Sequence, residues 1–128
     1  MKKILLVLAA MFTLVFTGCK VENSKVTVSV KDTAGNPVAN RLVYYADYPS
    51  IFIGELLPSP EQLITNIKDY GEYAETNTQG TVTLNIPLAV SKLKYCFAVE
   101  DQGSYEWITK DVELVRGVNE EIEFVVNK

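Results

Sequence analysis

Lys25-Val26-Thr27-Val28-Ser29-Val30-Lys31 sets three valines on one face and Thr27 and Ser29 on the other. Successive strand side chains point to opposite faces, so this alternation predicts a strand buried on one side. The pattern returns downstream. Thr81 to Ile86 places Val82, Leu84 and Ile86 against Thr81, Thr83 and Asn85. Lys94 to Glu100 places Tyr95, Phe97 and Val99 on one face and the small Cys96 and Ala98 on the other. Glu120 to Val126 turns Ile122, Phe124 and Val126 inward. Residues 38–46, 72–77 and 105–115 complete a set of seven strands, rich in the β-branched and aromatic residues that suit a pleated surface.

Turn chemistry separates these segments. Asp32-Thr33-Ala34-Gly35-Asn36-Pro37, Thr78-Gln79-Gly80, Asp101-Gln102-Gly103-Ser104 and Arg116-Gly117-Val118-Asn119 all carry turn formers. Pro87 is expected to stop the strand before it. Short strands at this spacing predict an all-β, seven-stranded Greek-key sandwich of two sheets.

One stretch departs from the pattern. Residues 47–71 hold Tyr48-Pro49-Ser50 and Leu57-Pro58-Ser59-Pro60, with apolar residues between them. A helix of about residues 60–70 is expected there. Ser59 caps it, Pro60 fits its first position and Gln62 completes a capping box. Leu63, Ile64 and Ile67 share one face, and Gly71 is expected to end the helix in the left-handed conformation.

The amino terminus carries an address. Lys2 and Lys3 precede Ile4 to Phe16, an apolar run interrupted only by Thr13, and Thr17-Gly18-Cys19 follows. That run is shorter than the ~20 residues a membrane-spanning helix needs, but it suits the core of a secretory signal. Small residues before a cysteine resemble a bacterial lipoprotein cleavage site, although Phe16 stands where Leu is usual. Residues 1–18 are therefore read as a lipoprotein signal peptide, Cys19 as the lipidated residue, 19–24 as a tether and 25–128 as the β-domain. Lys20 after the cysteine, rather than Asp, favours the outer membrane as the destination.

Charge and composition narrow the function. Removing Lys2 and Lys3 from the 12 basic residues leaves 10 against 16 acids, a formal charge of −6. Nucleic acid needs a basic face, so it is not an expected partner. The chain has no histidine, which removes the commonest general base and metal ligand. No enzymatic activity, metal or cofactor is expected. Asp32, Asp101 and Asp111 lack the spacing of a calcium loop. Once Cys19 is acylated, Cys96 is the remaining thiol, expected to be buried and inert.

Val26 to Val38 with its Gly35-Asn36-Pro37-Val38 turn, Thr76-Asn77-Thr78-Gln79-Gly80 before an alternating strand, and Tyr95-Cys96-Phe97-Ala98-Val99 also carry a family likeness. Together they resemble the carboxypeptidase-regulatory-like and transthyretin-like group of immunoglobulin-like domains. Asn77 stands where that group commonly has Asp. The resemblance implies the same sandwich, and small lipoproteins of the Bacteroidetes with such domains imply a cell-envelope setting. The transthyretin-like hydrolases of 5-hydroxyisourate need histidines and a C-terminal Tyr-Arg-Gly-Ser motif. This chain ends Glu-Phe-Val-Val-Asn-Lys, so that activity is not expected.

Function is sought in the 47–71 insertion, because long loops in compact domains are often binding elements. Tyr48, Phe52, Tyr70 and Tyr73 are the candidate binding residues, suited to stacking on sugars or anchoring a protein. The alternative is that Ile51, Phe52, Leu56, Leu57, Leu63 and Ile67 seal an open edge or end of the sandwich. Trp107 is assigned to the core. The expectation is a lipid-anchored binding or accessory module that meets a protein or glycan. The alternative is a structural subunit or spacer of a surface assembly, offering an edge strand.

Overall fold

The computed structural model describes residues 22–52, 58–102 and 106–127. The signal peptide, Cys19 and the first tether residues lie outside them, as do residues 53–57, which include Leu56 and Leu57.

Seven strands form two sheets, as the alternation predicts. They are β1 (Glu22–Asp32), β2 (Leu42–Asp47), β3 (Glu72–Glu75), β4 (Thr81–Leu88), β5 (Lys92–Asp101), β6 (Glu106–Val115) and β7 (Asn119–Val126). One sheet has the order β4-β1-β7 and the other β3-β2-β5-β6. β1 runs antiparallel to β4 and parallel to β7, with Val28 opposite Val82 in one neighbour and Ile122 in the other. Each connection from β1 to β5 except β2–β3 crosses between sheets, and β4 returns beside β1, which makes the Greek key.

The alternating valines of β1 meet Leu84, Ile86 and Leu88 of β4 and Ile122, Phe124 and Val126 of β7 in one buried layer. Val43, Phe97, Val99 and Leu114 of the other sheet close the core. Phe97 and Phe124 are the largest side chains fully withdrawn from water. Burying such a side chain contributes about 1.5–3 kcal/mol, so this layer dominates the stability.

Turn side chains lock the loops. Asp32 Oδ1 accepts the amides of Ala34 and Asn36 at 3.0 and 2.9 Å, and Gly35 takes φ +86°. Asn77 Oδ1 accepts from the Gln79 and Thr81 amides at 2.9 and 3.1 Å and from Thr81 Oγ1 at 3.2 Å. Gly80 then adopts φ +71°, where a Cβ would stand 2.7 Å from the Val30 carbonyl. Both turns use a side-chain oxygen as a substitute backbone acceptor, which is why Asp and Asn serve there.

Several boundaries differ from expectation. β1 begins at Glu22, so residues 22–24, assigned to the tether, are strand, and Ser24 is buried with Oγ donating to the Val118 carbonyl at 2.9 Å. Pro87 does not end β4. It pairs with Asn23 because β4 is an edge strand, where a missing N–H is tolerated. Residues 38–41 lie outside β2, and there Thr76 Oγ1 donates to the Val38 carbonyl and accepts the Arg41 amide.

Candidate functional site

Two helices lie within the insertion: α1 (Tyr48–Ile51), a single turn that was not anticipated, and α2 (Pro60–Tyr70). Ser59 caps α2 as expected, its side chain accepting the Gln62 amide at 3.2 Å. Gly71 ends it differently. Its backbone is extended (φ −101°, ψ −166°), not left-handed. Glycine is needed for space, since a Cβ would stand 2.4 Å from the Tyr45 carbonyl and 2.9 Å from Ala46 Cβ.

The insertion covers a sheet face rather than an edge. Ile51 of α1 and Ile67 of α2 are buried against Ala46, Cys96 and Ala98, which project from the outer side of β2 and β5. These three side chains are small, so helices can approach the sheet closely. Tyr44, Tyr48, Phe52, Leu63, Ile64 and Trp107 pack around them. β5 is consequently buried on both faces from Cys96 to Val99. The edge-sealing expectation is corrected accordingly: among the described residues, Ile51, Leu63, Ile64 and Ile67 of the insertion help make a second core.

The four candidate aromatics separate into three places. Tyr48 and Phe52 pack as tilted rings with centroids 4.8 Å apart, as part of the second core, with Lys94 Nζ 4.7 Å above the Tyr48 ring. Burial, then a hydrogen bond donated to Asp111, pushes the Tyr48 hydroxyl well above its ordinary value of 10. Tyr73 is 66% exposed and starts a row across the sheet: its ring is 5.7 Å from Tyr44, which meets Trp107 edge-on at 5.6 Å. Tyr70, 59% exposed, lies apart, in a cleft of about 180 Å³ with Tyr45, Tyr95, Asp47 and Glu72. Burial and then Glu72, which accepts the Tyr45 hydroxyl at 3.0 Å, raise Tyr45 to about 12.

Trp107 is the residue that sequence reasoning misplaced. It projects from the outer face of β6, not into the sandwich core, and its indole is half-buried under Lys68 Nζ at 4.9 Å. Its position in the strand pattern carries the signal: Ile108, Val112 and Leu114 occupy the inward register, which leaves Trp107 outward. Beside it a groove of about 650 Å³ separates α2 from β6. Pro60, Leu63, Ile64 and the indole supply apolar surface, while Glu61, Glu106 and Thr109 add polar groups. Both carboxylates are exposed. Among the described residues, no group of three or more His, Cys, Asp or Glu side chains converges to hold a metal.

Cys96 sits beneath α1, buried, and burial followed by the nearby Asp111 carboxylate raises its thiol to about 12. A thiol so placed stays protonated and unreactive at neutral pH.

No protein-family model matches the chain, and no curated protein does. Solved structures do resemble it. Chlorocatechol 1,2-dioxygenase from Pseudomonas putida aligns over 83% of this chain and 60% of its own, with a TM-score of 0.55 and 12% identity. The Bacillus anthracis TIE protein aligns over 81% of this chain but 16% of its own, with a TM-score of 0.51 and 9% identity. The 5-hydroxyisourate hydrolase of Klebsiella pneumoniae aligns over 80% of this chain and 89% of its own, at 18% identity and a TM-score of 0.46. At such identities the likeness is one of fold alone. With the observed strand order, it shows a two-sheet β-sandwich.

Proposed function

We propose that this chain is a lipid-anchored binding module of the cell envelope, without catalysis, that holds a glycan in the groove beside Trp107. One observation carries the reading: a half-buried indole that lines the groove with an aliphatic floor, with Glu61, Glu106 and Thr109 around it. A saccharide offers an apolar C–H face for the ring and hydroxyls that donate to carboxylates, and the groove offers both complements. Catalysis is not part of the proposal. Glu61 and Glu106 are both exposed, without the contrast in burial that makes one carboxyl an acid and its neighbour a base. The anchor reading rests on Lys2, Lys3, the apolar run and Cys19, with the outer membrane as destination.

The alternative, a subunit that pairs through an edge strand, is less favoured by the edges themselves. Lys110 of β6 donates to the Glu123 carbonyl on the edge strand β7, and Lys31 pairs with Glu123 at 3.5 Å. Charged side chains on an edge oppose strand addition.

Trp107 is the one tryptophan of the chain, so its fluorescence reports on the groove directly. A panel of cell-envelope oligosaccharides should include one that changes this emission saturably. Trp107→Phe should weaken that binding, read by calorimetry, and Glu61→Gln with Glu106→Gln should weaken it further. Binding that survives both changes, or a panel without response alongside capture of a protein through the same groove, would overturn the glycan reading. New reducing ends in the incubation would overturn the non-catalytic one.

A further inference from the structure

Three of the exposed large apolar side chains among the described residues share one end of the sandwich. Val90 lies in the turn between β4 and β5, Val115 ends β6 and Val118 lies in the turn between β6 and β7; they are 49, 36 and 42% exposed. The turns are fastened to each other. The Arg116 amide donates to the Ser91 carbonyl at 2.9 Å, and Arg116 Nη2 donates to the Ala89 carbonyl at 2.6 Å. The start of β1 is fastened to the same turns. The Gly117 amide donates to the Asn23 carbonyl at 3.2 Å, and Ser24 Oγ donates to the Val118 carbonyl at 2.9 Å. Residues 22–24, 89–91 and 115–118 therefore form one tip.

We propose that this tip rests on a lipid bilayer, with Val90, Val115 and Val118 entering the headgroup layer. The inference depends on the reading of Cys19 as the anchored residue. Three Cα steps join Cys19 to Glu22, and at 3.8 Å each they reach about 11 Å at most. The 11 residues of β1 extend about 36 Å. A tether a third as long as the strand it leads into keeps the first end of that strand beside the lipid. The end it holds is the one carrying the three valines. Charge does not drive the contact: Lys92 is paired with Glu113 at 3.7 Å, and the Glu22 carboxylate reaches Gly117, the residue after Arg116, so acids and bases balance and the tip is close to neutral. Binding through it should depend little on anionic lipid or on salt.

The groove lies at the other end. Glu106 and Trp107 begin β6, whereas Val115 ends it, so the nine intervening steps place the groove about 30 Å from the tip. The proposed glycan site then faces away from the bilayer.

The test uses full-length protein carrying its native lipid, purified from membranes and placed in phosphatidylcholine vesicles. An environment-sensitive dye is attached at Val118→Cys or Val90→Cys, with Thr33→Cys at the far end as reference; Cys96 is buried and does not compete. At positions 118 and 90 the dye should shift to the blue and resist an aqueous quencher, while at 33 it should do neither. Adding Val90→Asp to the Val118→Cys protein should remove the protection without releasing the protein from vesicles. Equal quenching at 118 and 33 on protein that floats with the vesicles would overturn the docking and leave the anchor intact. An intact leader or a free Cys19 thiol by mass spectrometry, with no flotation, would overturn the anchor and the docking with it. Protection at 118 in a soluble Cys19→Ser form without vesicles would mean that the tip meets a second copy instead.

Discussion

Asn66 Nδ2 donates to the Ile51 carbonyl at 2.8 Å, and both residues are buried. This bond joins the last residue of α1 to the middle of α2, and Gln62 Nε2 donates to Asn66 Oδ1 at 3.1 Å from the turn before. The two helices are thus one unit, although α1 alone is too short to persist. Asn66→Leu should leave the Ile51 carbonyl without a partner and cost about 1–3 kcal/mol, read as a lower urea midpoint. The inner sandwich should keep its far-ultraviolet spectrum at moderate urea while the fluorescence of Trp107 changes first.

Gly71 and Gly35 are glycines for different reasons, and the difference is measurable. Gly71 has an ordinary backbone but no room, with carbonyl oxygens of Tyr45 and Ile67 at 2.4 and 2.5 Å from a would-be Cβ. Gly35 has open space around it but φ +86°. Gly71→Ala must shift backbone and should cost about 2–3 kcal/mol, whereas Gly35→Ala should cost about 1–2 kcal/mol. Thermal melts of the two variants check the order.

Asn77 accepts three hydrogen bonds through one oxygen, all from donors that would suit a carboxylate. Hydrogen bonds to an ionised acceptor are stronger. Asn77→Asp should raise Tm at pH 7 and lose that gain on acidification through the carboxylate range. Asn77→Ala should lower stability by about 1–2 kcal/mol at both pH values.

Alkaline pH should weaken the fold. Cys96 moves from its ordinary 9.0 to about 12 on folding, mainly through burial, and Tyr45 from 10.0 to about 12 for the same first reason. The folded chain holds these protons more tightly, so the unfolded chain loses its own first as pH climbs. The contribution is whole below pH 9 and is lost progressively toward pH 12. Urea midpoints should fall from pH 8 to pH 11, and Cys96→Ala should flatten that fall. In the native chain Cys96 should resist a thiol reagent at pH 8 and react once denaturant is added.

Most of the sandwich was legible in the alternation of Val26, Val28 and Val30 and its echoes, because period two is a direct imprint of one buried face. The helix was legible through Ser59, Pro60 and Gln62 for an equally local reason. What lay beyond reading was where the helix docks. Cys96 and Ala98 announced a face of small residues, but alternation does not say whether solvent, sheet or helix lies over it. Trp107 was misplaced on the same account, since a lone tryptophan is usually core and its outward register shows only beside Ile108 and Val112. Pro87 was misjudged because its tolerance depends on β4 being an edge, which is a property of the assembled sheet. The candidate aromatics shared a neighbourhood in sequence, yet Tyr48, Tyr70 and Tyr73 reach three different surroundings.

The parallel union of β1 and β7 has a mechanical meaning. Eight residue pairs, from Lys25–Asn119 to Asp32–Val126, join the first strand to the last, and the two strands leave this seam at opposite ends. A pull between the two ends of the domain slides one strand along the other, so the whole seam must yield together instead of peeling rung by rung. Such a body transmits tension along its length without opening.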